Sequence, residues 1–207
     1  MEWLEELRTR LAQAVGAPIA LVANPAVPDQ SSLAVDPLHA VAAATFLRDS
    51  ADLRFDYCSN ATGVDWPDRK DTVKRLRVVD GVEKEVTETV HRPGYLEAVY
   101  HLYSTVHPRG PLVIRQRTSD RAAGAVLSSL TPVWRSCEFQ EREIFDLFGI
   151  RFEGHPDLRR ILMWDGFLDH PMRKDYEAPD DYEYEPTPHG DIAARARRHQ
   201  PIPEGTS

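Results

Sequence analysis

The chain has 207 residues, of which 42% are hydrophobic and 28% charged, with a formal net charge of −8. That length suffices for one domain with a real core plus a tail or an insertion, and the composition is that of an ordinary globular protein. The acidic balance argues against nucleic acid as the main partner, because neutralising phosphates needs a Lys/Arg surplus.

The opening segment, MEWLEELRTRL, is acidic and amphipathic, unlike a secretory signal or a mitochondrial presequence. Trp3, Leu4, Leu7, Leu11 and Val15 fall at helical spacing and predict a helix over 2–15, stopped by Gly16 and Pro18. IALVA (19–23) reads as a short strand, NPAVPDQS (24–31) as a turn cluster and SLAVD (32–36) as a second strand. Pro18, Pro25, Pro28 and Asp29 break the least charged stretch, so no membrane span of about 20 apolar residues fits there. Asp36 and Pro37 supply an N-cap and a first-turn proline for a helix to about Asp49, with Leu38, Val41, Ala42, Thr45 and Phe46 on one side.

LRFDYCSNATGVDW (53–66) alternates in part and reads as a strand. From 67 to 92 the chain is strongly polar, and Asp80-Gly81 between two β-prone runs predicts a hairpin, read as a protruding insertion. Two more strands, 95–106 and 111–118, are joined by HPRG (107–110). Strands come in adjacent pairs, not in alternation with helices. The expected fold is α+β, a two-layer sandwich of a mixed β-sheet with helices over 1–162, followed by an extended tail, 163–207. Cys58 and Cys137 lie in no CxxC or CxH pattern, which excludes four-thiolate clusters and structural zinc. Buried free thiols are expected, with a disulfide between them as the alternative.

The charged stretch EREIFDLFGIRFEGHPDLRRIL (141–162) has the stock of a hydrolase or a metal site. On a helix over 134–148, Trp134, Cys137, Ile144, Phe145 and Phe148 share an arc of about 100°, and Glu141 falls inside it. Glu138, Arg142 and Asp146 form a neighbouring stripe that can pair along the helix, while Phe139 and Leu147 make a second apolar side. An ionised Glu141 on an apolar face needs a partner. Arg159 and Arg160 follow the turns at Gly149 and Gly154, and an ion-pair lock between them and Glu141 is the expected arrangement. Against an active site, Glu141 and Glu143 point to opposite sides of a helix, and no HExxH, GxSxG, GxxxxGK[ST] or GxGxxG occurs. A stand-alone acid–base hydrolase using Glu141, Asp146 and His155 is the competing reading. Beyond 163 the stretch MWDGFLDHPMRKDY carries Trp164, Phe167, Leu168, Met172 and Tyr176, so it is expected to lie along a surface, its own or a partner's. The acidic EAPDDYEYEP (177–186) reads as a solvated linker.

EREIFDLFGIRFEGHPDLRRIL, followed by GFLDHPMRKDY (166–176), resembles the signature of the 30-kDa-type subunit family of respiratory complex I. The resemblance runs from Glu141 to Tyr176 with His155-Pro156 and His170-Pro171 both in place. It weakens back through SSLTPVWRSCEFQ (128–140) and does not cover 67–92. It implies a peripheral-arm subunit of proton-translocating NADH:quinone oxidoreductase, with no catalytic, cofactor or metal site of its own. FMN, iron–sulfur clusters, NADH and quinone would be used elsewhere in the complex. The partner implied is the large hydrogenase-like, 49-kDa-type subunit that forms the quinone site. The location implied is the cytoplasmic side of the bacterial inner membrane, reached only through the complex. An equivalent subunit of a membrane-bound hydrogenase or F420H2 dehydrogenase is the nearest alternative. On this reading Glu141, Arg142, Glu143, Asp146, Gly149, Gly154, His155, Pro156, Asp157, Arg159 and Arg160 form an internal lock and docking face. His170, Pro171, Arg173, Lys174, Asp175 and Tyr176 would carry the tail onto the partner.

Overall fold

The computed structural model describes residues 2–177 apart from 25, 28, 29, 80, 81, 123 and 165. Helix α1 (Glu2–Val15) turns Leu4, Leu7 and Leu11 inward and ends at Gly16, whose φ of 71° suits glycine. Strands β1 (Ala20–Val22) and β2 (Ser32–Ala34) follow as an antiparallel pair. The Asp36 carboxylate accepts the Leu38 amide at 2.9 Å and caps a 3-10 turn, Pro37–His39, from which α2 (Ala40–Asp49) continues.

The face of α2 differs from the expected one. Ala40, Ala43, Ala44 and Leu47 are buried, whereas Leu38 and Val41 are exposed. The 3-10 turn shifts the helical phase, and the small alanines let α2 approach its neighbours closely.

The remaining elements are β3 (Tyr57–Trp66), β4 (Arg69–Val79), β5 (Val82–Arg92), β6 (Tyr95–Ser104), β7 (Arg109–Arg117), β8 (Val126–Ser128), α3 (Cys137–Phe148) and β9 (Arg151–Glu153). The main sheet has the order β1-β2-β7-β6-β3, with β2–β7 parallel and the other pairs antiparallel. It is therefore mixed, and the molecule is an α+β two-layer sandwich. β4 and β5 form a separate antiparallel ribbon between β3 and β6. The Asp80-Gly81 turn expected at its tip and the tail beyond 177 lie outside the described residues.

One core joins the layers. Leu7, Leu11, Ala44 and Leu47 from the helices meet Leu33, Tyr100, Leu102 and Ile114 from one face of the sheet. Each fully buried Leu contributes about 1.5–3 kcal/mol relative to exposure. α3 starts at Cys137, later than its hydrophobic pattern suggests. Trp134 instead closes a turn on Leu130, and its indole N–H donates to the Phe55 carbonyl at 2.9 Å. Cys58 and Cys137 are free, buried thiols. A hydrogen bond to Cys58 and burial push the Cys137 thiol far above the ordinary range, so it is an inert packing group.

Candidate functional site

The charged stretch folds as a helix and a strap. At the end of α3 the Gly149 amide donates to the Phe145 carbonyl at 2.9 Å, and Gly149 takes a left-handed φ of 79°. A Cβ there would stand 2.6 Å from the His170 ring, so glycine is needed for conformation and for space. The chain runs back as β9, parallel to β8, turns at Gly154 (φ 81°) and then follows α3 in the helix's own direction.

Three points pin this strap. His155 Nε2–H donates to the Glu138 carbonyl at 2.9 Å, and its Nδ1 accepts the Asp157 amide at 3.1 Å. Those two partners fix a neutral tautomer. One turn on, the buried Arg142 guanidinium donates to the carbonyls of Arg159 (3.1 Å) and Arg160 (3.4 Å), lies over the Phe139 ring, and stands 3.8 Å from Asp157. Another turn on, the fully buried Asp146 carboxylate accepts three successive amides, Ile161 (3.0 Å), Leu162 (2.8 Å) and Met163 (2.9 Å), through Oδ2. Its Oδ1 accepts Arg160 Nη1 at 2.5 Å. Desolvation acts upward on Asp146, but the Met163, Leu162 and Arg160 hydrogen bonds together outweigh it and hold the acid below its ordinary range. Arg142 and Asp146 thus turn their side chains to the strap instead of pairing along the helix, while the Glu138 carboxylate stands 3.7 Å from Arg135.

Arg160 goes on to bind the Asp146 and Asp169 carbonyls, at 3.1 Å each, and lies over the Phe167 ring. His170 Nδ1–H donates to the Asp146 carbonyl at 3.0 Å. Desolvation holds the His170 imidazole below its ordinary range, so it is neutral.

The expected Glu141 lock to Arg159 and Arg160 is corrected. Glu141 is buried on the sheet side of α3, away from the strap. It accepts Ser129 Oγ (2.6 Å), the Leu130 amide (2.8 Å), Tyr100 OH (3.2 Å) and Thr131 Oγ1 (3.2 Å). Neutral donors suffice because burial pushes this acid up, against the pull of the Ser129 and Leu130 hydrogen bonds. Arg160 pairs with Asp146, and the largely exposed Arg159 pairs with Asp157 at 2.9 Å.

The end of the strap lies along the domain's own surface, one of the two surfaces expected for it, and Arg173, Lys174, Asp175 and Tyr176 all hold onto it. Arg173 donates to the Arg121 carbonyl at 2.5 Å, and the Lys174 amide donates to Asp65 at 2.7 Å. Arg121 joins Asp175 at 3.0 Å and grips the buried Asp65 at 2.6 and 2.7 Å. Tyr176 rests against Phe167, which is fully buried and also meets Trp164 edge-on. Desolvation raises Asp65, but Arg121 and the Lys174 amide leave it net lowered.

Glu143 and Pro156 are exposed, and Pro171 is half-buried beside His170. Tyr100, Ser129, Asp65 and Arg121 complete the network, and sequence reasoning missed them. The hydroxyl-rich SSLTP run was the one available signal, since it places Ser129 and Thr131 ahead of an apolar helix. While Arg160 turns inward, the strap shows water Leu162 (59% exposed), Leu168 (71%) and Met172 (54%) beside the exposed Asp157, Arg159, Asp169, Lys174 and Asp175. Among the described residues no group of three or more His, Cys, Asp or Glu could hold a metal ion, and no helix is long and apolar enough to cross a membrane.

Fold and site together define an α+β domain whose helix α3 is strapped by the segment that follows it. Residues 33–182 match the family model described as respiratory-chain NADH dehydrogenase, 30 Kd subunit. An NADH-quinone oxidoreductase subunit from Coxiella burnetii (strain Dugway 5J108-111) is 34% identical over 72% of this chain and 67% of its own length. The protein of the same name from Bordetella avium (strain 197N) is 35% identical over 85% of this chain and 79% of its own. A solved trypsin-resistant fragment of Nqo5 aligns with a TM-score of 0.43 at 24% identity, covering 76% of this chain and 97% of that one. The chain belongs to the 30-kDa subunit family of respiratory-chain NADH dehydrogenase, or complex I.

Proposed function

We propose that this chain is a non-catalytic scaffold of the peripheral arm of a proton-translocating NADH:quinone oxidoreductase, seated against the large quinone-site subunit on the cytoplasmic side of the membrane. On this reading FMN, the iron–sulfur clusters, NADH and quinone are bound by other subunits. The observation that carries it is the strap. Its buried charges are consumed in holding its own backbone to α3, while Leu162, Leu168 and Met172 face outward. A rigid support that presents apolar side chains among exposed charges suits docking better than proton transfer. Asp146 and Glu141 are each surrounded by hydrogen-bond donors that hold them in place, and both ring nitrogens of His155 are engaged.

The test is co-purification. The chain is tagged at its N-terminus, native membranes are solubilised in mild detergent, and the proteins retained are identified by mass spectrometry with NADH:quinone reductase activity measured alongside. Recovery in a large flavin- and iron–sulfur-containing assembly is expected. Recovery of the chain alone would overturn the reading.

A further inference from the structure

Among the described residues, the helices pack on one face of the main sheet and leave the other open. The register places Tyr100, Ala98 and Ile114 on the covered face and Val99, Glu97, Val113 and Arg115 on the opposite one. The core that joins the helices to the sheet includes Ala98, Tyr100 and Ile114 but neither Val99 nor Val113, although both valines are nearly buried. A sheet face meant for water alternates in charged and small polar residues. The open positions of β3, β6 and β7 carry Trp66, Tyr95, Val99 and Val113 beside Asn60, Thr62 and His101, with arginine and no lysine. That is the composition of a protein interface, where Trp, Tyr and Arg are enriched and Lys is depleted.

The charges on this face do not balance. The fully buried Glu97 accepts Arg115 Nη1 at 2.8 Å, Arg117 Nε at 2.6 Å and the Trp66 indole at 3.1 Å. Two guanidinium groups therefore converge on one carboxylate, leaving one positive charge in surplus. Arg115 spends its Nε on Ser32 at 2.7 Å, and Arg117 lies over the Tyr95 ring. A guanidinium carries five N–H donors, so several on this pair are left over by the bonds named here among the described residues. The glutamate fixes both arginines and so lowers the entropy lost when they meet a further anion. Beside them, among the described residues, the buried Nδ1 of His101 has no hydrogen-bond partner. Burial and the nearby Arg115 hold that imidazole below its ordinary range.

We infer that the open sheet face around Arg115 and Arg117 is a second docking surface, for a neighbouring protein that presents a carboxylate side chain to the two guanidinium groups. This rests on the scaffold reading and extends it to a face remote in sequence from the strap. The aromatic side chains would supply the dry centre of such a contact and the arginines its register.

Hydroxyl-radical footprinting of the full chain, free and in its native assembly, tests this. Oxidation of Trp66 and Tyr95 is expected to fall several-fold on assembly. Arg117→Gln should weaken retention in the assembly about tenfold with unchanged circular dichroism. Co-purification of the wild type reads the scaffold assignment separately. If the wild type assembles but Trp66 and Tyr95 label equally in both states, the docking face is refuted while the scaffold reading stands. If the free chain already shows protection, and loses it on truncation after Glu177 or on dilution, the occupant is its own C-terminal segment or a second copy. Either of those results would overturn the partner assignment.

Discussion

Asp146 and Arg160 form a buried ion pair, Oδ1 to Nη1 at 2.5 Å, whose second carboxylate oxygen simultaneously holds three consecutive backbone amides of the strap. One side chain thereby fixes the path of four residues, 160–163. Removing the Asp146 carboxylate by Asp146→Ala leaves those amides and a guanidinium without their acceptor. The expected loss is about 3–5 kcal/mol of unfolding free energy. Urea titration followed by tryptophan fluorescence measures it; a loss under about 1 kcal/mol would show that the strap does not depend on this residue.

Gly149 answers to two constraints. Gly149→Ala places a β-carbon at φ 79° and drives it into the His170 ring. Destabilisation of about 1–3 kcal/mol is expected. Faster hydrogen exchange across 161–173 should accompany it, because His170 would be displaced from the Asp146 carbonyl. Unchanged exchange there would separate the glycine from the strap.

The outer apolar residues make a contrasting prediction. Leu168→Ser and Met172→Ser remove exposed side chains and should alter stability by no more than about 0.5 kcal/mol. Phe167→Ala, one residue away but fully buried, should cost about 3–5 kcal/mol. If the strap is a docking surface, the double serine variant nevertheless loses retention in the assembly. Full retention would place docking elsewhere on the molecule.

Stability should depend on pH through acids of opposite sign. Asp146 and Asp65 are held below the ordinary Asp value, so the unfolded chain binds more protons than the folded one. Their contribution is complete above about pH 4 and is lost as pH falls through the folded values. Glu141 is pushed up, so its cost appears as pH rises past the unfolded value of about 4.3 and levels off above its folded value. Unfolding free energy measured from acid to neutral pH should therefore rise steeply on the acid side. Asp146→Asn should flatten that limb, and an unchanged slope in that variant would exclude Asp146 as its source.

Much of this protein is written locally. The Leu4, Leu7, Leu11 stripe, the Asp36-Pro37 start and the paired β-prone runs specify α1, the entry to α2 and the strands, because those signals act within a few residues. The 36 positions from Glu141 to Tyr176 were enough to indicate the family. What the sequence could not assign was which charge meets which. Glu141 and Asp146 are both acids on one helix near two arginines, and the roughly 140° of helical rotation between them puts them on different faces. Asp146 faces the strap, while Glu141 faces Ser129, a residue whose nearness depends on how β8 lies beside the sheet. Likewise the grip of Asp65 on Lys174 joins residues far apart in the chain. Hydrogen-bond partners of buried charges are set by three-dimensional proximity and desolvation, and only the tertiary structure supplies both.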